Sequence, residues 1–197
     1  EHTIHHTILT NTTVEHAKRE IDNCKKWLED VTGYPIRAFC PPTGRFNNYH
    51  ITFQREAGFT SMRTVEMLSY SIHKIRRIDD FIILPATTQV YNHVNTTYIR
   101  NIIKRFNFFS YPPFRKMFNS NWMRMSMNYV SYLHERAGTD NRDYYFHLWG
   151  HSWELEEFSL WESFEEFIKQ LSDIKDIISC TNSELADYVR GAKNYER

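Results

Sequence analysis

The chain has 197 residues, balances 24 basic against 24 acidic side chains, and draws 16% of its residues from Phe, Trp and Tyr. That length can bury the core of one domain, so a single unit over residues 1–197 is expected. Zero net charge excludes a global field that would pull the chain onto nucleic acid or an anionic membrane. No apolar run reaches the ~18 residues of a membrane span.

Residues 1–13 are polar, rich in His and Thr, and predict a loop. Residues 14–31 predict a helix: Val14, Ala17, Ile21, Cys24, Trp27 and Leu28 recur at helical spacing, Thr13 can cap the start, and Gly33 lies past the end. Residues 35–40 form a short apolar strand stopped by Pro41-Pro42-Thr43-Gly44. A second helix is expected over 49–57, followed by Gly58 and a strand over 59–65. Lys74-Ile75-Arg76-Arg77 is a basic cluster expected at the surface. Residues 82–84 make another strand ahead of Pro85. A helix is expected over 97–106, an irregular aromatic stretch over 107–118, and a helix over 122–136 ending before Gly138. The run 144–149 predicts a central strand. An amphipathic helix over 161–174 and a short helix over 183–190 complete the chain. Helices alternating with short apolar strands argue for a parallel sheet or barrel wrapped by helices.

Three segments concentrate reactive side chains. The first, His2-Thr3-Ile4-His5-His6, holds three imidazoles in five residues. His2 and His6 at i and i+4 can face one way and ligate a metal, while a solvated His-rich terminus is the plainer reading. The second, Phe39-Cys40-Pro41-Pro42-Thr43-Gly44-Arg45, ends a strand in a rigid turn. The carboxyl ends of parallel strands are where α/β proteins build sites, but taken alone these residues favour an ordinary rigid turn. The third, 147–154, delivers His147, Trp149, His151, Trp153 and Glu154 around Gly150. A histidine at a strand end can act as a general acid, and the two tryptophans can pack on a sugar or in a core. Cys24, Cys40 and Cys180 include no CxxC pair, which excludes a cysteine zinc finger but leaves one disulfide open. Met117, Met123, Met125 and Met127 read as core filling. Asn11 and Asn95 head glycosylation sequons, which matter only in a eukaryotic secretory host.

In this order and spacing the three segments resemble the polysaccharide deacetylase (NodB-homology) family. The family's His-[Ser/Thr]-x-x-His motif is matched in full by His2-Thr3-Ile4-His5-His6. Glu20-Ile21 and Gly33 fall where its next helix and turn belong. Its Arg-x-Pro-[Tyr/Phe] motif corresponds to Cys40-Pro41-Pro42-Thr43, with Cys and Thr replacing the Arg and the aromatic. Ala57-Gly58-Phe59 looks like its next helix-to-strand step. The late catalytic-His motif is similar to residues 146–151, and Trp149 to Glu154 look like a Trp-Gly-His-Ser-Trp-Glu branch. The resemblance covers most of residues 1–175.

The resemblance implies an α/β fold, a distorted (β/α) barrel whose first strand or strands, ending in an Asp-Asp motif, lie upstream of Glu1. It implies zinc or another divalent ion held by His2, His6 and an upstream Asp. The backbone N–H of Thr43 would serve the oxyanion. His151 would protonate the leaving amine, with His147 as the alternative. The implied substrate is an N-acetylated amino-sugar polysaccharide or oligosaccharide, and the implied setting is the cell envelope or outside. Asp79 or Asp80 would be a second-shell carboxylate for a histidine. Two rivals stay open: a carbohydrate-binding relative without catalysis, which Cys40 in place of the Arg and the missing Asp-Asp motif favour, and a metal-dependent amidase for a small amide.

Overall fold

A computed structural model describes residues 2–93, 96, 98 and 120–192. They form two compact units, one of residues 1–65, 74–85 and 180–197, the other of residues 66–73 and 86–179. The expected helix over 97–106 and aromatic stretch over 107–118 lie essentially outside the described residues.

In the first unit, helix α1 (Val14–Thr32) starts where the Thr13 hydroxyl accepts the His16 N–H. It ends where Gly33, at φ 71°, donates its N–H to Glu29 O. Ala17, Glu20, Ile21 and Cys24 share its buried face, the i, i+3, i+4, i+7 stripe of an amphipathic helix. After α1 come β1 (Ala38–Phe39), α2 (Asn48–Glu56), β2 (Ser61–Arg63), β3 (Arg76–Ile78) and β4 (Phe81–Leu84). The sheet order is β1-β2-β4-β3. The pairs β1–β2 and β2–β4 are parallel, and β3 runs antiparallel to β4. Phe39, Phe59, Met62, Phe81 and Ile83 bury against Leu9, Ala17, Ile21 and Ile51. Each of the larger side chains, Ala17 aside, contributes roughly 1.5–3 kcal/mol. Helix α6 (Asn182–Ala192) packs on β2 and β4, with Ala186 and Val189 fully buried.

The second unit pairs β5 (Thr88–Gln89) in parallel with β6 (Leu148–Trp149). Helix α3 (Trp122–Asp140) sends Met125 and Tyr129 into a cluster with Met67, Leu68 and Tyr98. It sends Trp122 and Val130 into another with Val90, Leu155, Leu160 and Phe167. Helices α4 (Ser152–Glu157) and α5 (Trp161–Ser172) follow β6, and the Trp122 and Phe167 rings meet edge to face at 5.4 Å.

Four expectations change. The described strands are mixed rather than purely parallel, and neither sheet closes on itself among the described residues, so the class is α/β without a demonstrated barrel. The basic cluster runs into a strand, β3, where Arg77 donates to Val189 O at 2.5 Å. Charged residues suit such an edge because they discourage further pairing. Helix α3 continues through Gly138 to Asp140: Arg136 pairs with Asp140 one turn on, and Asn141 takes the left-handed cap at φ 49°. The strand expected over 144–149 is ordered as a strand only at Leu148–Trp149, with Tyr144 making an isolated bridge to Ser71. None of the three cysteines forms a disulfide, which closes that option. No helix among the described residues is long and apolar enough to cross a membrane.

Candidate functional site

In the first unit the histidine segment is a loop rather than a helical turn. Thr3 and His6 both have positive φ, 57° and 56°. Left-handed backbone at a residue bearing a Cβ costs roughly 1–2 kcal/mol, so something must hold the loop in place. Glu20, buried on α1, does so. Its carboxylate accepts the His5 backbone N–H at 3.0 Å and the His5 Nδ1–H at 2.7 Å. Burial alone would raise the Glu20 pKa, but these bonds and one from the Thr7 side chain outweigh it and hold the carboxyl below its ordinary range. His5 is thereby committed to structure.

The outer two histidines converge. His2 Nδ1 donates to the Cys40 carbonyl at 2.6 Å, which leaves Nε2 as the ring's acceptor nitrogen. His2 Nε2 and His6 Nε2 lie 3.0 Å apart. Two nitrogens about 2.0–2.1 Å from a zinc ion at a tetrahedral angle would be about 3.3 Å apart, so the pair is close to a two-ligand arrangement. A carbonyl behind the ligating ring is the usual orienting partner of a metal-bound histidine. Burial, with His6 and Arg63 adding to it against the pull of the Cys40 carbonyl, lowers the His2 pKa and favours the neutral ring a metal needs. Among the described residues no group of three His, Cys, Asp or Glu side chains could hold a metal ion; what the loop brings together is two imidazole nitrogens.

The turn after β1 lies next to the Cys40 carbonyl in the chain. Gly44 N–H bonds to Pro41 O at 2.9 Å and Arg45 N–H to Pro42 O at 3.3 Å; the Thr43 N–H takes part in neither. Thr43 is exposed and has φ 57°, an uncommon conformation for a β-branched residue. Asp79 is spent on Arg55 at 2.7 Å in the turn between β3 and β4, and Asp80 is exposed there. Among the described residues of this unit, the carboxylate that serves a histidine is Glu20.

In the second unit the parallel register sets Gln89 beside Trp149, and Val90 N–H bonds to Trp149 O at 2.8 Å. A Cβ on Gly150 would stand 3.1 Å from Val90 Cβ, so the strands approach closely because residue 150 is a glycine. His147 precedes β6, and its carbonyl accepts the Thr87 N–H at 2.8 Å. His151 follows the carboxyl end of β6 and opens α4. Glu154, one turn into α4, accepts from His151 Nδ1 at 2.9 Å and from the His151 backbone N–H at 3.3 Å. Gln89 Nε2 lies 3.2 and 3.1 Å from the two Glu154 oxygens, and Gln89 Oε1 is 2.9 Å from His93 Nε2. Trp153, 57% exposed, stacks on His151 at 5.5 Å, and half-buried Trp149 meets the same ring edge-on at 5.4 Å.

Of the residues singled out from sequence, His2 and His6 meet in one unit, while His151, Trp149 and Trp153 meet in the other. Reading the sequence missed what holds them: the Cys40 carbonyl, the roles of Glu20 and Glu154, and Gln89 and His93 altogether. The His151-x-x-Glu154 spacing could have suggested its pair. Nothing local links Gln89 to Glu154, 65 residues away.

The polysaccharide deacetylase family model matches residues 1–62. The fold is similar to the crystal structure of a Mycobacterium smegmatis protein assigned to the polysaccharide deacetylases. The TM-score is 0.61 at 16% identity, over 98% of this chain and 63% of that one. At that identity the likeness is one of fold, and this chain spans 63% of the other's length. No curated protein matches the sequence.

Proposed function

We propose, from the kinship of residues 1–62 to the polysaccharide deacetylases, that this chain carries catalytic parts of a metal-dependent hydrolase. The reaction is removal of N-acetyl groups from an amino-sugar polysaccharide or oligosaccharide: water cleaves the amide C–N bond, giving acetate and a free amine. The observation that carries the reading is the 3.0 Å convergence of His2 Nε2 and His6 Nε2 inside the matched segment.

His2 and His6 would hold zinc or another divalent ion, which when bound polarises the acetyl carbonyl and makes water a nucleophile near neutral pH. The Cys40 carbonyl holds the His2 ring, and Glu20 holds the loop that brings the two Nε2 atoms together. The Thr43 N–H is the donor proposed for the oxyanion. His151, in its doubly protonated form, gives its Nε2 proton to the departing amine nitrogen, and Glu154 on Nδ1 stabilises that cation. His151 is preferred to His147 because it follows the carboxyl end of β6, where parallel strands present sites. Trp153 and Trp149 offer apolar faces to a sugar ring.

The test is acetate release from N-acetylglucosamine oligomers by the protein as its source produces it, with added zinc and with chelator. Release that chelator abolishes and that His6→Ala lowers at least a hundredfold supports the reading. Oligomer binding with no acetate release would instead support a carbohydrate-binding protein, and turnover of small amides alone would support an amidase.

A further inference from the structure

We propose that Gln89 and His93 are positioning residues for His151, acting through Glu154. The functional consequence rests on the general-acid role given to His151; the structural one stands without it.

The hydrogen-bond roles follow from chemistry, without seeing a proton. The Glu154 carboxylate only accepts, so the end of the Gln89 amide facing both its oxygens must be the NH2. The Gln89 carbonyl then faces His93 and also only accepts, so His93 must carry its proton on Nε2. At the other end, His151 must carry a proton on Nδ1 to meet Glu154. Burial, working against the attraction of Glu154, holds His93 below the ordinary imidazole range, consistent with a ring bearing one proton.

The chain of bonds is mechanically sensible. Gln89 and Glu154 are both buried, so the link between them is shielded from competing water. Among the described residues, without Gln89 the carboxylate would keep hydrogen bonds only to His151 itself, which can rotate together with it. With Gln89 it is tied to β5, and β5 is tied in register to the strand that precedes His151. His93 in turn fixes which way the Gln89 amide faces, and its ring is held between Tyr91 at 4.9 Å and Tyr98 at 5.7 Å. The Nε2 of His151 is thereby aimed by the fold rather than by its own side-chain torsions.

The experiment is long-range proton–nitrogen NMR of the histidine rings at pH 8, on the intact protein, with acetate release assayed alongside. Wild type is expected to show His93 as the Nε2–H tautomer and His151 as the Nδ1–H tautomer. Gln89→Leu, which keeps bulk and removes the amide, is expected to turn His151 into a tautomer mixture. It should also lower kcat on the order of tenfold to a hundredfold, the scale of a small misplacement, with KM little changed. His93→Phe keeps the ring packing and breaks only the outer bond, so it serves where Gln89→Leu fails to fold; a smaller shift in the same direction is expected. A wild-type His93 in the Nδ1–H form, or a His151 spectrum unmoved by either variant, overturns the proposal. If wild type releases no acetate yet the spectra shift as described, the hydrolase reading fails and the positioning of His151 stands.

Discussion

Gly44→Ala tests whether the turn that presents Thr43 is held as described. Gly44 has φ 70°, and an added Cβ would overlap Val65 Cγ2 and lie 2.9 Å from Val65 Cγ1 and 3.1 Å from Val65 Cβ. The left-handed backbone costs a residue with a Cβ roughly 1–2 kcal/mol. Forcing a methyl against a packed side chain costs roughly 1–3 kcal/mol more. The expected destabilisation is therefore about 2–5 kcal/mol. The two contributions separate in a double-mutant cycle. Val65→Ala removes both Cγ atoms and leaves only the Cβ at 3.1 Å, so Gly44→Ala made in that background should cost little more than the backbone part, about 1–2 kcal/mol. Urea denaturation followed by tryptophan fluorescence measures all four variants. Destabilisation of less than about 0.5 kcal/mol for Gly44→Ala would refute the turn conformation. A cost undiminished by Val65→Ala would refute the contact.

Glu20→Ala should destabilise the protein by roughly 1.5–3 kcal/mol, because the buried carboxylate accepts two bonds from His5 that nothing else replaces. The same variant should weaken zinc binding by roughly 10–100-fold in a competitive titration, since Glu20 orients the loop that carries both proposed ligands. Stability should also fall on acidification in two stages. Burial depresses His2, His50 and His93 below the unfolded value of 6.5, so the folded state takes up fewer protons than the unfolded one. Their contribution is complete above pH 6.5 and is lost as the pH drops through the lowered folded values. Glu20 is depressed below 4.5, so its contribution is present above that pH and is lost as the pH falls further. Denaturation midpoints measured from pH 8 to 3 check this, and a flat profile between pH 7 and 5 would count against the buried neutral histidines.

The most local features were legible in the sequence because local rules decide them. The limits of α1 follow from the Thr13 hydroxyl and the left-handed Gly33, both readable from residue type and spacing. The breaks at Pro41-Pro42 and Gly58 were equally plain. The i, i+4 spacing made His2 and His6 candidates as a pair, although the structure brings them together through a loop with two positive φ values that no periodicity foretold. Helix α3 outran its expected end because a side-chain ion pair and an asparagine cap offset the low helix propensity of Gly138. Strand β3 went unseen because a three-residue charged edge strand has no apolar alternation to betray it.

Tertiary structure alone decided which atoms serve the reactive groups. Cys40 attracted notice as the replacement of the family's Arg, yet its carbonyl is what orients His2, 38 residues away. Gln89 looked like any polar residue until the β5–β6 register set it against Glu154 and made its amide the fixed point of a histidine's hydrogen bond. Residue type specifies which chemistry a chain can perform. Where a lone pair points depends on bonds between residues far apart in sequence, and those exist only after the strands have paired and the helices have packed.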